Sequence, residues 1–250
     1  MNAKPKIISL VGLTASGKSA LGVELARLFN GEIISCDSRQ IYRGLDIGTA
    51  KIAPAEMRGV PHHLIDIIDP GEHFDVYEFQ QLAYKTIADI LSRGKLPILV
   101  GGTGLYSRSV TEGYCFNAKS KMQNAKSGEN APLYDVLQIC LMPPKEHIAE
   151  LVTQRIAKRL ADGMIAETER LLAAGVDRNW LSRLGLEYFW NTELLAGRVT
   201  LAEYKRNLAT KTMQYAKRQR TWFRREKNTI FLTDPATFLK DCKNLVTKFI

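Results

Sequence analysis

The sequence predicts an α/β fold, in which a mostly parallel sheet is covered by helices on both faces and is followed by a mainly helical C-terminal half. In the first half, short apolar runs alternate with longer amphipathic stretches. Strands that are apolar throughout are typical of parallel sheets buried on both faces, which need helical crossovers between strands. The second half has two long helical patterns and few strand candidates. We find no internal repeat and expect a single domain over residues 1–250.

Each element is predicted from its local pattern. The strands are predicted at residues 6–11, 32–36, 96–100, 136–142 and 230–232. Apolar positions at helical spacing predict helices at residues 16–29, 75–94, 145–174 (as one or two helices) and 200–227. Asp75 with Glu78, and Thr200 with Glu203, have the spacing of a capping box. The polar residues 117–131 show no periodicity and predict an exposed, mobile loop.

Composition limits the classes of protein to consider. Of the 250 residues, 45% are hydrophobic and 24% are charged, as in ordinary globular proteins. No apolar run approaches the roughly 20 residues that cross a bilayer, and the N-terminus resembles neither a signal peptide nor a transit peptide. The four scattered cysteines include no C-x-x-C pair, which fits a reducing compartment. We therefore expect a cytoplasmic protein without membrane contact, and a monomer.

A phosphate-binding motif follows the first predicted strand. Residues 12–19 read Gly12-Leu13-Thr14-Ala15-Ser16-Gly17-Lys18-Ser19, which matches G-x-x-x-x-G-K-[ST]. In this motif backbone N–H groups and the positive end of the following helix converge on phosphate oxygens. Lys18 adds a charge to the site, and the Ser19 hydroxyl can ligate Mg²⁺. The strand before the motif and the helix after it argue against a chance glycine-rich turn.

The motif alone does not define the reaction. Phosphoryl transfer is the default function of a P-loop, but it expects an acidic residue at the end of a neighbouring strand. The strand at residues 96–100 ends instead in Gly101-Gly102-Thr103-Gly104, whereas Asp37 follows the second strand. Because the carboxyl ends of parallel strands face one crevice, Asp37 and Thr103 are both expected beside the bound phosphates.

Six motifs in order along the chain resemble those of the tRNA dimethylallyltransferases. The first is the P-loop. The others are Asp37-Ser38-Arg39-Gln40-Ile41-Tyr42, Gly48-Thr49-Ala50-Lys51, Pro61-His62-His63-Leu64-Ile65-Asp66, Gly101-Gly102-Thr103-Gly104-Leu105-Tyr106 and Lys217-Arg218-Gln219-Arg220-Thr221-Trp222-Phe223-Arg224.

This resemblance implies that the P-loop holds dimethylallyl diphosphate with Mg²⁺. The exocyclic amine of the adenosine 3′ of the tRNA anticodon would then attack the allylic carbon, and pyrophosphate would leave. Asp37 would act as general base, Thr103 as a polar contact near the reacting amine, and Lys18 as a stabiliser of the leaving group. Ser38, Arg39 and Gln40 would contact the RNA, and Arg218 would reach the diphosphate. The alternative for Asp37 is that it only caps a turn.

Basic residues predict further RNA contacts. Residues 205–227 contain nine basic residues and one acidic residue, with Trp222 and Phe223 among them. A segment whose charges are nearly all positive and that also carries aromatic residues is more typical of a nucleic-acid-binding surface than of a helix face that is only solvated. We expect contacts with the tRNA backbone from this segment and from a second face at residues 154–159. The residues assigned to RNA contact in these two regions are Gln154, Arg155, Arg159, Arg220 and Arg224. His62 and His63 are adjacent and lack a third ligand, so we interpret them as structural.

The sequence also departs from the family pattern. Between Tyr106 and Cys140 there are only 33 residues (107–139), where the family usually carries a longer helical insertion that grips the anticodon stem. Leu13 stands where proline is usual, and Gly185-Leu186 stands where a Gly-Tyr pair is expected. Three alternatives therefore stay open: prenylation of a free adenine nucleotide, an inactive RNA-binding protein, and a P-loop kinase or ATPase.

Overall fold

A computed structural model describes residues 3–116 and 132–250, and within them a six-stranded sheet in which every pairing is parallel. The strand order is β3-β2-β4-β1-β5-β6. The strands are β1 (Lys6–Gly12), β2 (Gly31–Ser35), β3 (His62–His63), β4 (Leu96–Gly101), β5 (Asp135–Leu141) and β6 (Thr229–Leu232).

Helices follow most strands and make up most of the second half. The helices are α1 (Lys18–Leu28), α2 (Pro54–Met57), α3 (Val76–Ser92), α4 (Gly104–Thr111), α5 (Lys145–Ala161), α6 (Met164–Ala173), α7 (Arg178–Leu184), α8 (Leu186–Leu195), α9 (Leu201–Phe223) and α10 (Phe238–Phe249). None of the helices in these two described stretches combines the length and the apolar character needed to cross a membrane.

Successive side chains of a strand point to opposite faces of the sheet, and both faces are apolar. Ile8 and Leu10 of β1 pack with residues of α1 and α10 on one face, while Ile7 packs with residues of α3 on the other. Both sets are fully buried, as expected for a parallel sheet between two helical layers. The predicted fold class is confirmed.

The helical half covers the carboxyl end of the sheet. Val11 and Leu13 pack in one cluster with α5 and α9, and a second cluster joins Ile41 and Tyr42 to residues of α6, α7 and α8. The loops that follow β1 and β2 are therefore enclosed by helices that come much later in the chain. This arrangement makes the carboxyl edge a crevice instead of an open surface.

Several boundaries differ from the prediction. The segment 145–174 forms two helices, which are separated at Gly163. Gly163 has a φ of 96°, a backbone conformation that residues other than glycine rarely adopt. The helix that begins after Thr200 ends at Phe223, four residues before the predicted end at Lys227. The helix predicted from Ser16 begins at Lys18. The polar segment 117–131 lies outside the described residues.

Candidate active site

The loop between β1 and α1 has the geometry of a phosphate cradle. Gly12 has φ 141°, and a Cβ atom there would lie 2.3 Å from the carbonyl oxygen of Leu141. No side chain fits between these two strand ends. Gly17 caps α1 with φ 84° and supplies no side-chain cap. The N–H groups of the first turn of α1 are therefore available to an anion in the loop.

Lys18 lies inside this loop. Its ammonium donates to the carbonyl oxygen of Leu13 at 2.5 Å and to the Ser16 hydroxyl at 3.5 Å. Burial, and after it the nearby guanidinium of Arg155, lower the pKa of Lys18 to about 8. Ser19, the next residue, is exposed at the start of α1. Lys18 is thus held against the loop, while the Ser19 hydroxyl predicted for the metal is accessible from solvent.

The loops after β2 and β4 meet beside the cradle. Thr103 donates its backbone N–H to the carbonyl oxygen of Cys36 at 3.2 Å, and its hydroxyl accepts the Ser38 N–H at 3.2 Å. Asp37 accepts the Arg39 N–H on Oδ1 at 3.0 Å. The expected proximity of the Asp37 loop and Thr103 is confirmed, while their chemical roles stay predictions. One oxygen of Asp37 does cap a turn, as the alternative interpretation required.

Gln219 connects the P-loop with the loop after β4, and it was not predicted as a site residue. This buried side chain accepts the Thr14 N–H on Oε1 at 2.7 Å and donates from Nε2 to the Gly102 carbonyl oxygen at 3.0 Å. One amide thus holds the P-loop and the end of β4 together. The only signal in the sequence was its place within a matching motif.

A buried ion-pair network supports the loop after β2. Glu187 pairs with Arg39 at 3.1 Å and with Arg159 at 2.6 Å. Arg39 also lies over the Tyr215 ring, and Arg218 lies over the same ring, at 5.9 and 5.7 Å from its centroid. Glu187 and Tyr215 were not predicted. Arg218, the residue predicted to reach the diphosphate, is exposed on the side of α9 that faces this network.

The three RNA-contact residues predicted on α5 do not share a face. Gln154 is exposed and bonds Glu150, while Arg155 is half-buried and donates to the Thr14 hydroxyl at 3.2 Å. Arg159 is buried, and its guanidinium also donates to the Gly48 carbonyl oxygen at 3.3 Å. The assignment of Arg159 to an exposed RNA-contacting face is therefore wrong, since Glu187 and the protein interior enclose it.

The other predicted RNA contacts lie in different environments. The Gln40 amide donates to the carbonyl oxygens of Thr49 and Ala50, so it holds that loop. Arg220 donates to the Pro143 carbonyl oxygen at 2.7 Å, whereas Arg224 is exposed at the end of α9.

The two aromatic residues of the basic segment also differ. Phe223 is fully buried, but Trp222 is 38% exposed. Trp222 borders a shallow cavity of about 270 Å³, which is lined by Lys217, Arg218, Thr221, Trp222 and Arg225.

Comparisons with known proteins agree with this architecture. The tRNA isopentenylpyrophosphate transferases of Bacillus halodurans and Staphylococcus epidermidis superpose with TM-scores of 0.87 and 0.85. They are 32% and 31% identical, with 98% of this chain covered in each case and 96% and 100% of those chains. tRNA dimethylallyltransferase 2 of Shewanella sediminis is 37% identical over 268 aligned positions, which cover 88% of this chain and 89% of that protein.

The family match runs through most of the chain. The model of the IPP transferase family matches residues 40–127 and 116–226, in two segments that meet within the short connection between α4 and β5. The alignment with the Shewanella protein is longer than the 250 residues of this chain, so that relative carries residues that are absent here. This match and the identity to full-length relatives establish that the chain belongs to the IPP transferase family, the tRNA dimethylallyltransferases.

Proposed function

We propose that this protein transfers a dimethylallyl group from dimethylallyl diphosphate to the exocyclic amine of the adenosine 3′ of the anticodon in tRNA, with release of pyrophosphate. The observation that carries the proposal is the meeting of Asp37 and Thr103 beside the P-loop, in a chain that belongs to this family. A phosphoryl-transfer enzyme would need a metal-binding carboxylate at the end of β4, where this chain has Gly101-Gly102-Thr103.

The charges around the cradle fit a diphosphate. Among the described residues, the cluster of Lys18, Arg39, Arg155 and Arg159 faces two carboxylates, Asp37 and Glu187, which leaves an excess of two positive charges. The exposed Ser19 hydroxyl is an oxygen ligand of the kind that Mg²⁺ prefers. When bound, Mg²⁺ would neutralise charge on the departing diphosphate.

The protein groups divide the chemistry between them. As the allylic C–O bond breaks, negative charge collects on pyrophosphate, where the first-turn N–H groups of α1 and Lys18 stabilise it. Asp37 accepts the proton that the adenine amine loses once the new C–N bond forms. The Oδ1 atom is held by the Arg39 N–H, which orients Oδ2 as the accepting atom. The Thr103 hydroxyl positions the amine, and Ser38 contacts the nucleotide beside it.

The basic side of α9 supplies the RNA contacts in this proposal. Arg224 and Lys217 are exposed and contact phosphates, while the partly exposed ring of Trp222 provides an aromatic surface for a nucleobase. The target adenine must leave its stack to reach Asp37. We further propose that the protein acts as a monomer.

A transfer assay tests the function directly. The protein is incubated with labelled dimethylallyl diphosphate and Mg²⁺ together with unmodified tRNA, AMP or ATP in separate reactions. We expect label in tRNA only. Label in AMP would instead identify a free-nucleotide prenyltransferase, and rapid phosphate release from ATP without the prenyl donor would identify a kinase or ATPase. Binding of tRNA without transfer would identify an inactive RNA-binding protein.

A further inference from the structure

Arg155 is a cation without a carboxylate partner at the edge of the P-loop. It extends from α5, and its Nη1 atom donates to the Thr14 hydroxyl at 3.2 Å. Within residues 3–116 and 132–250 it forms no salt bridge, since its neighbours Arg39 and Arg159 both pair with Glu187. The remaining N–H groups of its guanidinium are available to another acceptor.

Such a placement is unfavourable in the protein alone. A half-buried charge loses hydration, and the attraction of Glu187 and Asp37, neither of which forms a salt bridge with Arg155, offsets only part of that loss. Burial, with Arg159 next, lowers the pKa of Arg155, and Arg155 in turn lowers the pKa of Lys18. A guanidinium does not lose its proton in proteins. The cost therefore stays until an anion enters the cradle.

We propose that Arg155 binds the diphosphate of the prenyl donor and stabilises pyrophosphate as it leaves. The proposal rests on the function proposed above and moves Arg155 from the RNA surface to the donor site. In the reaction the allylic C–O bond breaks, both of its electrons go to the ester oxygen, which becomes a terminal oxygen of pyrophosphate, and the amine forms the C–N bond and gives its proton to Asp37. The guanidinium donates to the phosphate oxygens on which this charge develops.

The position of Arg155 favours the donor over RNA. Its guanidinium contacts the P-loop hydroxyl of Thr14, whereas Gln154, the next residue on α5, is exposed. Adjacent residues on a helix point about 100° apart. A tRNA backbone that lies along the exposed face of α5 meets Gln154, while a ligand in the cradle meets Arg155.

The test compares Arg155→Gln and Arg155→Lys with the wild type by calorimetric titration of inorganic pyrophosphate, dimethylallyl diphosphate and tRNA. Because Arg155→Gln loses a charged hydrogen bond, its affinity for pyrophosphate and for dimethylallyl diphosphate should fall by about 10- to 100-fold. Arg155→Lys should lie between, because it keeps the charge but not the planar fork. We expect the Kd for tRNA to change by less than about 2-fold. The matched control is Lys158→Gln, an exposed cation on the same helix.

Two results would overturn the assignment. One is unchanged pyrophosphate affinity together with weaker tRNA binding, which would return Arg155 to the RNA surface. The other is a lower Tm in Arg155→Gln together with weakened binding of all three ligands, which would show a structural role. Removal of an unpaired cation should instead leave the Tm of the ligand-free protein equal or higher. If the wild type binds pyrophosphate through Arg155 but labels no tRNA, the proposed function fails and the diphosphate contact stands.

Discussion

One carboxylate oxygen of Asp37 accepts a hydrogen bond within a turn, and the other is proposed to accept the proton of the adenine amine. A single substitution separates these two roles. In Asp37→Asn the amide oxygen can still accept the Arg39 N–H, which Asp37 Oδ1 accepts at 3.0 Å, but the side chain no longer takes up a proton. We expect the rate of prenyl transfer to fall by about 10²- to 10⁴-fold. The Kd for dimethylallyl diphosphate and the Tm should stay close to those of the wild type.

Asp69→Asn is the matched control for this measurement. Asp69 is exposed and forms a surface salt bridge with Arg43, so its loss should change transfer little. If Asp37→Asn turns over at the wild-type rate while Asp37→Ala lowers the Tm, Asp37 serves the turn alone.

Lys18 gives the donor site a pH dependence. Its pKa is lowered from 10.5 to about 8 in the protein alone, and the negative charge of a bound diphosphate should raise it again. Binding therefore requires the protonated ammonium and takes up protons between pH 8 and pH 10. The apparent Kd for dimethylallyl diphosphate should rise about tenfold from pH 7 to pH 9.

The check for Lys18 is calorimetry in buffers of different ionisation enthalpy. At pH 8 we expect uptake of about half a proton for each donor molecule bound, because Lys18 is then half protonated in the free protein and fully protonated in the complex. Lys18→Arg keeps its charge across this range and should bind with a flat pH profile. Equal profiles in the two proteins would contradict the shifted pKa of Lys18.

At single residues, the sequence predicted which loops meet better than it predicted burial. The Asp37 loop and Thr103 were expected together because both follow neighbouring parallel strands, and they are in contact. Arg159 was assigned to an RNA-contacting face because it lies one helical turn from Gln154 and Arg155, and its partner Glu187 is 28 residues away. Gln219 was missed for the same reason, since both of its partners lie more than 100 residues earlier in the chain. Long-range partners of polar residues leave no periodic signal.

Among the elements, α9 combines a structural face with the face towards the site. Gln219 holds the P-loop to the end of β4 through Thr14 and Gly102. Gln219→Leu would leave the partly buried Thr14 N–H and Gly102 carbonyl without partners, at up to about 1–3 kcal/mol for each group. We expect a lower free energy of unfolding in urea and a lower kcat, because the cradle and Thr103 lose their common support.

The control for this change is Gln214→Leu, an exposed position on the same helix. It should unfold at the wild-type urea concentration. Wild-type kcat in Gln219→Leu would show that the two loops keep their positions without the amide.

The exposed basic residues of α9 predict a salt-dependent interaction with tRNA. Each lysine or arginine that contacts a phosphate contributes about 0.7–0.9 to the slope of log K against log salt concentration. The double substitution Lys217→Gln and Arg224→Gln should therefore lower the slope by about 1.5 and leave the Kd for pyrophosphate unchanged. Lys240→Gln with Lys243→Gln, two exposed lysines on α10, is the charge-matched control. Equal slopes in the two double variants would exclude α9 from the RNA surface.

The elements also show where prediction by pattern succeeds. The five strands other than β3 were predicted, because each contains at least two consecutive apolar residues. The two-residue β3 was missed because His62 and His63 do not form such a run. The amphipathic α10 follows a short edge strand and was missed, although Phe238, Cys242 and Val246 lie on one face at helical spacing. No glycine marks its end in the way that Gly94 marks the end of α3.

At the scale of the whole molecule, the site is assembled from parts that are distant in sequence. The P-loop and the Asp37 loop come from the first 40 residues, Thr103 from the loop after β4, Arg155 from α5, and Gln219 from α9. The C-terminal helices therefore complete a site that the parallel sheet begins. The connection between α4 and β5 contributes none of these contacts among its described residues.

This division of the molecule makes a prediction for the shortened connection. Replacement of residues 117–131 by a glycine–serine linker of equal length should leave the Tm close to that of the wild type and the Kd for pyrophosphate within about 2-fold, because the donor-site contacts of the described residues lie in other segments. The transfer rate at saturating donor should fall only through weaker tRNA binding, so that it recovers as tRNA concentration rises. Gln219→Leu serves as the comparison that weakens the cradle itself. A tenfold loss of pyrophosphate affinity in the linker variant would show that the segment takes part in the donor site, and that the described residues do not form this site alone.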